Sequence, residues 1–549
     1  MQDKSLLRIA LIVGMALAPS SGVFASQPVD PARPLADFDG DWYADLAVGA
    51  PNETIGAVGN AGWVNVIYGA DGGLNATDNQ GFSQDDSLGV DASEADDHVG
   101  AALAVGDFNG DGRWDLAAGV PGESLGTAFE AGAVHVVYGT ALGLRPVGNQ
   151  LWHQGVAGMD GALESGDRFG HALAVGDFND DSYGDLAVGV PFENVGSVVD
   201  AGLVQIIYGS SAGLTAAGNQ LWDQDQPDID GMAETGDALG KSLAAGDFNR
   251  DGYVDLAVGV ANESVGSPAV ASAGMVHVLF GGAAGLSAVS NQLWHQGVTD
   301  MAGAPETNDQ FGAVLAAGDF GGDGYADLAI GVINEDVGSP TVIDAGAVQL
   351  LYGSAAGLTA AGNQLWHADI AEMAGTAETS DHFGSAVAAG DFDGDGYADL
   401  AVGVIGESVG SPAVEDAGAV HVIYGTATGL RVADNRLWHQ DSTDIEGVAE
   451  ISDAFGFALA AGDFNSDSYA DLAVGVPSED VGSPVVVDAG VVQILYGSVA
   501  GLSAAGNQLW HQDVTDIEGM AESGDEFGYA VAAVPYAMHR LHLPVIVRN

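Results

Sequence analysis

Residues 391–399 read DFDGDGYAD, and this nine-residue acidic pattern occurs seven times along the chain. The other copies are DFDGDWYAD from Asp37, DFNGDGRWD from Asp107, DFNDDSYGD from Asp177, DFNRDGYVD from Asp247, DFGGDGYAD from Asp319 and DFNSDSYAD from Asp463. Successive starts lie 70, 70, 70, 72, 72 and 72 residues apart. A period this regular means one supersecondary unit copied in tandem. Outward from Asp391, Phe383-Gly384 opens an alternating run, Ser385 to Gly390, that predicts a strand. Leu400 to Val404 predicts a second strand, and Ala419 to Tyr424 a third of strong β-propensity. After a loop over 426–435, Leu437 to Gln440 predicts the fourth.

Four short strands per unit and seven units predict an all-β chain, a seven-bladed β-propeller of four-stranded antiparallel blades. The two ends sharpen this. Phe-Gly-type openings stand at Gly100, Gly170, Gly240, Gly312, Gly384, Gly456 and Gly528. The first acidic loop has no opening before it, and the last opening has no acidic loop after it. The orphan halves complement each other. The strand after Phe527-Gly528 is therefore expected to enter the blade begun by residues 35–84 and close the ring, removing the exposed sheet edges between first and last blades. The propeller is assigned to residues 35–534, preceded by a linker over 26–34 and followed by a tail over 535–549.

The 549 residues are 47% hydrophobic and 16% charged, with a formal net charge of -65 from 12 Lys and Arg against 77 Asp and Glu. So many apolar residues exclude a disordered acidic tail. So acidic a surface repels nucleic acid and anionic membrane. Cysteine is absent, so any staple other than packing must come from elsewhere, and bound metal is a common one. Lys4 and Arg8, the short apolar run from Ile9 to Ala18 and Val23-Phe24-Ala25 read as a signal peptide over 1–25, cleaved before Ser26. No later run reaches the roughly 20 apolar residues of a membrane span. The expected location is extracellular or periplasmic, as a monomeric ring.

The acidic loops carry the chemistry. Oxygens at positions 1, 3, 5 and 9, with a carbonyl at position 7, suit calcium, which takes about six to eight hard oxygen ligands at about 2.3–2.6 Å. Position 1 is Asp37, Asp107, Asp177, Asp247, Asp319, Asp391 and Asp463. Position 3 is Asp39, Asn109, Asn179, Asn249, Asp393 and Asn465, with Gly321 in the fifth copy. Position 5 is Asp41, Asp111, Asp181, Asp251, Asp323, Asp395 and Asp467. The carbonyls belong to Tyr43, Arg113, Tyr183, Tyr253, Tyr325, Tyr397 and Tyr469, and position 9 is Asp45, Asp115, Asp185, Asp255, Asp327, Asp399 and Asp471. Up to seven calcium ions are expected. The loops from Asp37 and Asp391, with four carboxylates each, should bind tightest, and the loop from Asp319 most weakly. Trp42, Ser182 and Ser468 replace the glycine of position 6 and should strain the bend. An EF-hand needs Glu at position 12, where this loop has Val402. An acidic turn whose Asp side chains hydrogen-bond their own backbone is the metal-free alternative.

The Phe-Gly openings and the later Gly49-Ala50-Pro51 resemble the FG-GAP repeat, and the seven-unit arrangement resembles the N-terminal head of integrin α subunits and bacterial relatives. The resemblance implies an adhesion or protein-interaction module. Its partner would be an extracellular protein or glycan, met by the face opposite the metal loops, here Pro51–Gly62 and Gly410–Gly418. A calcium-dependent lectin is the alternative, and a polysaccharide-degrading enzyme a weaker one. There is no Cys nucleophile, no Gly-x-Ser-x-Gly elbow and no phosphate loop with Lys, and active sites break symmetry, so no catalytic residue is expected. The recurring Leu-Trp-His-Gln around Trp152, Trp222, Trp294, Trp366, Trp438 and Trp510 reads as blade packing. The recurring Glu-x-x-Asp-x-Phe-Gly, as at Glu378, Asp381 and Phe383, reads as a connector capping backbone amides, with a second cation site as the alternative.

Overall fold

The computed structural model describes residues 37–85 and 91–533. The expected leader, linker and tail lie outside these residues. Twenty-eight strands form seven four-stranded antiparallel sheets, and no α-helix occurs among the described residues. The second blade shows the pattern: Ala102–Gly106, Asp115–Val120, Ala133–Tyr138 and Arg145–Trp152 pair in order. Third to seventh blades repeat it. The first blade takes Leu46–Ala50, Trp63–Tyr68 and Asn75–Phe82 from the N-terminal side and completes itself with Ala530–Ala532. Ala47 pairs with Ala532, Val48 with Val531 and Gly49 with Ala530. The Gly528 amide donates to the Gly49 carbonyl at 3.0 Å. Closure by the C-terminal strand is what the orphan halves required.

Each first strand packs against the first strand of the next blade, and Ala530–Ala532 touches both the second and the seventh blade. First strands therefore line the axis. Second and third strands, as in Asp185–Val190 and Leu203–Tyr208, are buried along their whole length, and their Val, Ile and Leu side chains fill the seams between blades. In one such seam Val134, Val136 and Trp152 of the second blade meet Leu186, Val188 and Val190 of the third. Trp152, Trp294, Trp366 and Trp510 are buried, so the Leu-Trp-His-Gln run is a packing element as expected.

The fourth strand differs from its expected place. In the sixth blade it spans Arg431–Trp438, beginning six residues before Leu437. Its sequence, RVADNRLW, has little β-propensity and half-exposed side chains. Pairing with Ala419–Tyr424 across an irregularity between Val422 and Tyr424 decides it, which no local signal encodes.

The two signature glycines meet. A β-carbon on Gly403, at the end of its second strand, would collide with the carbonyl of Gly456 in the next blade's opening, and Gly475 faces Gly528 in the same way. Backbone lies against backbone at every such blade boundary, leaving no room for a side chain. The opening Phe169, Phe311, Phe383, Phe455 and Phe527 are fully buried beside it.

Candidate metal-binding loops

Six acidic loops join the first strand of a blade to its second, and the loop from Asp37 leads into Leu46–Ala50, the second strand of the first blade, so all seven lie on one face of the ring. The position-2 phenylalanines, such as Phe392, are fully buried and anchor the loop to the core. In the loop from Asp391, the Gly396 amide donates to Asp391 Oδ2 at 3.0 Å. The Asp395 amide donates to Asp393 Oδ1 and the Tyr397 amide to Asp395 Oδ1, both at 3.1 Å. These bonds wrap the backbone around the acidic side chains. Carboxylate oxygens of Asp391, Asp393 and Asp399 lie within 4.8 Å of one another, and so do those of Asp37, Asp39 and Asp41. Asp391 Oδ1 is buried with no hydrogen-bond partner. An orphaned buried carboxylate oxygen inside an all-oxygen donor set fits a hard cation such as calcium.

These are the two loops expected to bind tightest. Elsewhere the third position is Asn, and its amide oxygen turns to the backbone; Asn109 Oδ1 accepts from the Asp111 amide at 2.8 Å. Gly321 brings no side chain. Among the described residues, three carboxylates of an acidic loop converge only in the copies from Asp37 and Asp391.

Position 9 has a second role that the pattern alone does not reveal. Asp399 Oδ2 accepts from the Phe392 amide at 2.8 Å, and its Oδ1 accepts from the Gly425 amide at 2.9 Å. Asp115 binds Phe108 and Gly139 in the same way, as Asp471 does Phe464 and Gly497. Each of these aspartates ties the start of its loop to the end of the third strand. Burial pushes the carboxyls of Asp115, Asp185, Asp255, Asp327 and Asp399 up to about 8, and neighbouring loop carboxylates add to the rise. Asp391 is raised to about 6 by burial, then by the charges of Asp395 and Asp393.

Trp42, Ser182 and Ser468 have φ of 82°, 71° and 74°, the left-handed conformation that glycine takes in the other loops. The strain expected at position 6 is therefore present. Loops are also linked around the ring: the Ala398 amide donates to the Asp319 carbonyl and the Ala470 amide to the Asp391 carbonyl, both at 3.0 Å.

On the opposite face, Asp381 Oδ2 accepts from the Glu378 amide, so the connector is capped as its sequence suggested. The glutamate that follows each second strand was not singled out by the sequence. Glu123 is buried and receives Gln84 Nε2 at 2.6 Å; Glu193 receives Gln154 Nε2 at 2.7 Å. Burial and the charge of Asp97 push Glu123 up to about 8. The spacing of 39 residues between Gln and Glu, constant from blade to blade, is the signal that would have found the pair.

The FG-GAP repeat family matches residues 34–64, 99–137, 169–207, 239–279, 311–351, 383–423 and 455–495, one match for each blade. The chain belongs to the FG-GAP repeat family. Among curated FG-GAP relatives, phosphatidylinositol-glycan-specific phospholipase D of Rattus norvegicus is 38% identical over 161 residues, which is 29% of this chain and 18% of that protein. Integrin alpha-IIb of Mus musculus is 36% identical over 168 residues, 30% of this chain and 15% of that one. The matched stretch spans less than a fifth of the length of these relatives. Among solved structures, a rhamnogalacturonan lyase of Bacillus licheniformis aligns over 81% of this chain and 69% of its own, at 12% identity and a TM-score of 0.37.

Proposed function

We propose that this FG-GAP propeller is a secreted, calcium-stapled binding module that presents the face opposite its acidic loops to an extracellular protein or glycan. The observation that carries the calcium reading is the convergence of Asp391, Asp393 and Asp399 around a buried carboxylate oxygen with no protein partner. Bound calcium would neutralise carboxylates that otherwise repel one another, and would fix seven loops already joined through their backbones. The reading of the opposite face rests on its composition. Strand-connecting loops and blade connectors there expose Phe129, Met232, Ile343, Val448, Val485 and Met520, each more than half accessible. Apolar side chains set in a polar rim suit protein or sugar recognition, and Leu142 and Val499 on the acidic-loop face are as exposed. A binding role rather than catalysis agrees with titratable groups that recur blade by blade.

Calorimetric titration with calcium chloride and thermal melting with and without chelator test the first part. Heat from calcium sites and a lower melting temperature in chelator are expected. No heat and an unchanged melt would remove calcium from the account. Glycan arrays and capture of extracellular-matrix proteins, each with and without calcium, test the second part. Binding abolished by charged substitutions at Phe129 and Met232 is expected; binding lost only through substitutions on the acidic-loop face would assign the wrong side.

A further inference from the structure

A second carboxylate cluster lies at the blade boundaries, on the face away from the acidic loops. Glu94 and Asp97 come from the connector entering the second blade, and Glu123 follows that blade's second strand. One carboxylate oxygen from each lies within 4.8 Å of the other two. Asp97 and Glu123 are each only 1% exposed. Among the described residues no lysine or arginine pairs with them; the ion pair found there joins Arg168 to Glu130.

Two observations point to a missing partner, one on Gln84 outside the cluster and one on Asp97 within it. Gln84, fully buried, reaches Glu123 Oε2 through its amide nitrogen at 2.6 Å, and its own Oε1 has no hydrogen-bond partner. Asp97 Oδ1 is likewise buried and unpaired, while Oδ2 accepts from the Glu94 amide at 2.5 Å. A buried carbonyl oxygen and a buried carboxylate oxygen left without donors are each costly unless something positive reaches them. Half a turn of the Gln84 amide exchanges its nitrogen and oxygen, converting it from a donor to Glu123 into a further oxygen ligand.

We propose that Glu94, Asp97 and Glu123, with the Gln84 amide oxygen, form a divalent-cation site distinct from the acidic loops. The donor set is all oxygen, which selects a hard ion of the calcium class over zinc or copper. The ligands come from the segment just after the outer strand of one blade, the connector and the next blade, so the ion bridges neighbouring blades on the side the acidic loops do not reach. The same residue types recur around the ring: Gln154, Gln224, Gln296, Gln440 and Gln512 each reach the corresponding glutamate, and each leaves its Oε1 buried and unpaired. The sixth blade departs from this. Ala368 stands where the glutamine belongs, and Glu407 Oε2 is left without a partner.

The site is tested on the full chain with calcium chloride as the only added ion, counting bound ions by native mass spectrometry. Glu123→Gln is expected to bind one ion fewer than the parent chain, and Asp391→Asn to lose a different one, so that the double variant loses both. Glu94 is exposed, and Glu94→Gln is expected to fold normally and weaken the same ion at least tenfold; it keeps the test decisive if Glu123→Gln misfolds. Crystals soaked in manganese should show an anomalous peak between Glu94, Asp97 and Glu123. An unchanged ion count in Glu94→Gln or Glu123→Gln, with no anomalous peak, would overturn the site and assign the cluster a shared proton instead. Failure of the acidic-loop reading would appear in Asp391→Asn alone and leave the Glu123→Gln difference standing.

Discussion

Asp391 and Asp399 belong to one loop, and the structure predicts opposite consequences for the same isosteric change. Asp391 accepts from the Gly396 amide on Oδ2 with the Gly394 amide also close to the carboxylate, and its Oδ1 makes no hydrogen bond. Asn at 391 retains an oxygen for Gly396 and removes a charge that Asp393 and Asp395 repel. Calcium-free stability should therefore hold or rise, while calcium loses a ligand and binds at least tenfold more weakly, about 1.4 kcal/mol. Asp399 uses both oxygens on buried amides, those of Phe392 and Gly425. Asn at 399 must point its own N–H₂ at one of them, leaving a buried donor unpaired at a cost of about 1–3 kcal/mol. Denaturant unfolding in chelator, repeated in saturating calcium, separates the two. Asp399→Asn should be weakened in both conditions, and Asp391→Asn should lose only part of the gain that calcium confers. Equal destabilisation of both variants in chelator, with calcium's effect intact in Asp391→Asn, would refute the division of the loop into ligand and tie.

Further outcomes follow from the same geometry. The carboxyl of Asp399 stands at about 8 in the calcium-free fold against an ordinary value of 3.8, so the folded state holds the proton more tightly. Its stabilising contribution is full below about pH 4 and is lost as pH rises toward 8. Calcium-free protein should melt lower at pH 8 than at pH 5, and calcium should reverse that order; a pH-independent melt in chelator would contradict it. Ser182→Gly and Ser468→Gly relieve a left-handed strain of about 1–2 kcal/mol against about 0.5–1 kcal/mol of lost chain entropy. Each should gain between about 0 and 1.5 kcal/mol in denaturant titrations. Gly403→Ala drives a β-carbon into the Gly456 carbonyl of the next blade. It should cost about 1–3 kcal/mol or more in chelator and in calcium alike; a neutral result would mean that blades slide apart freely.

The period of the acidic pattern, the unmatched halves at the two ends and the Val-rich second and third strands were enough to specify seven blades and their closure. Repetition makes each local reading a vote for one unit, and every blade must bury the same faces. Which acidic loops gather three carboxylates was legible too, since it depends on which copies carry Asp at position 3. Three features were not. The fourth strand has no propensity of its own and exists because the third strand offers it an edge. Asp399 and its counterparts look like ligands in sequence, yet they also bind the amide of a glycine that follows the third strand, 26 residues away at Gly425. The cluster joins Glu94 and Asp97 of the recurring Glu-x-x-Asp connector to Glu123, which lies outside that motif. Local chemistry and its period are written along the chain; contacts between one blade and the next depend on how the ring brings distant backbone together, and only the folded structure decides them.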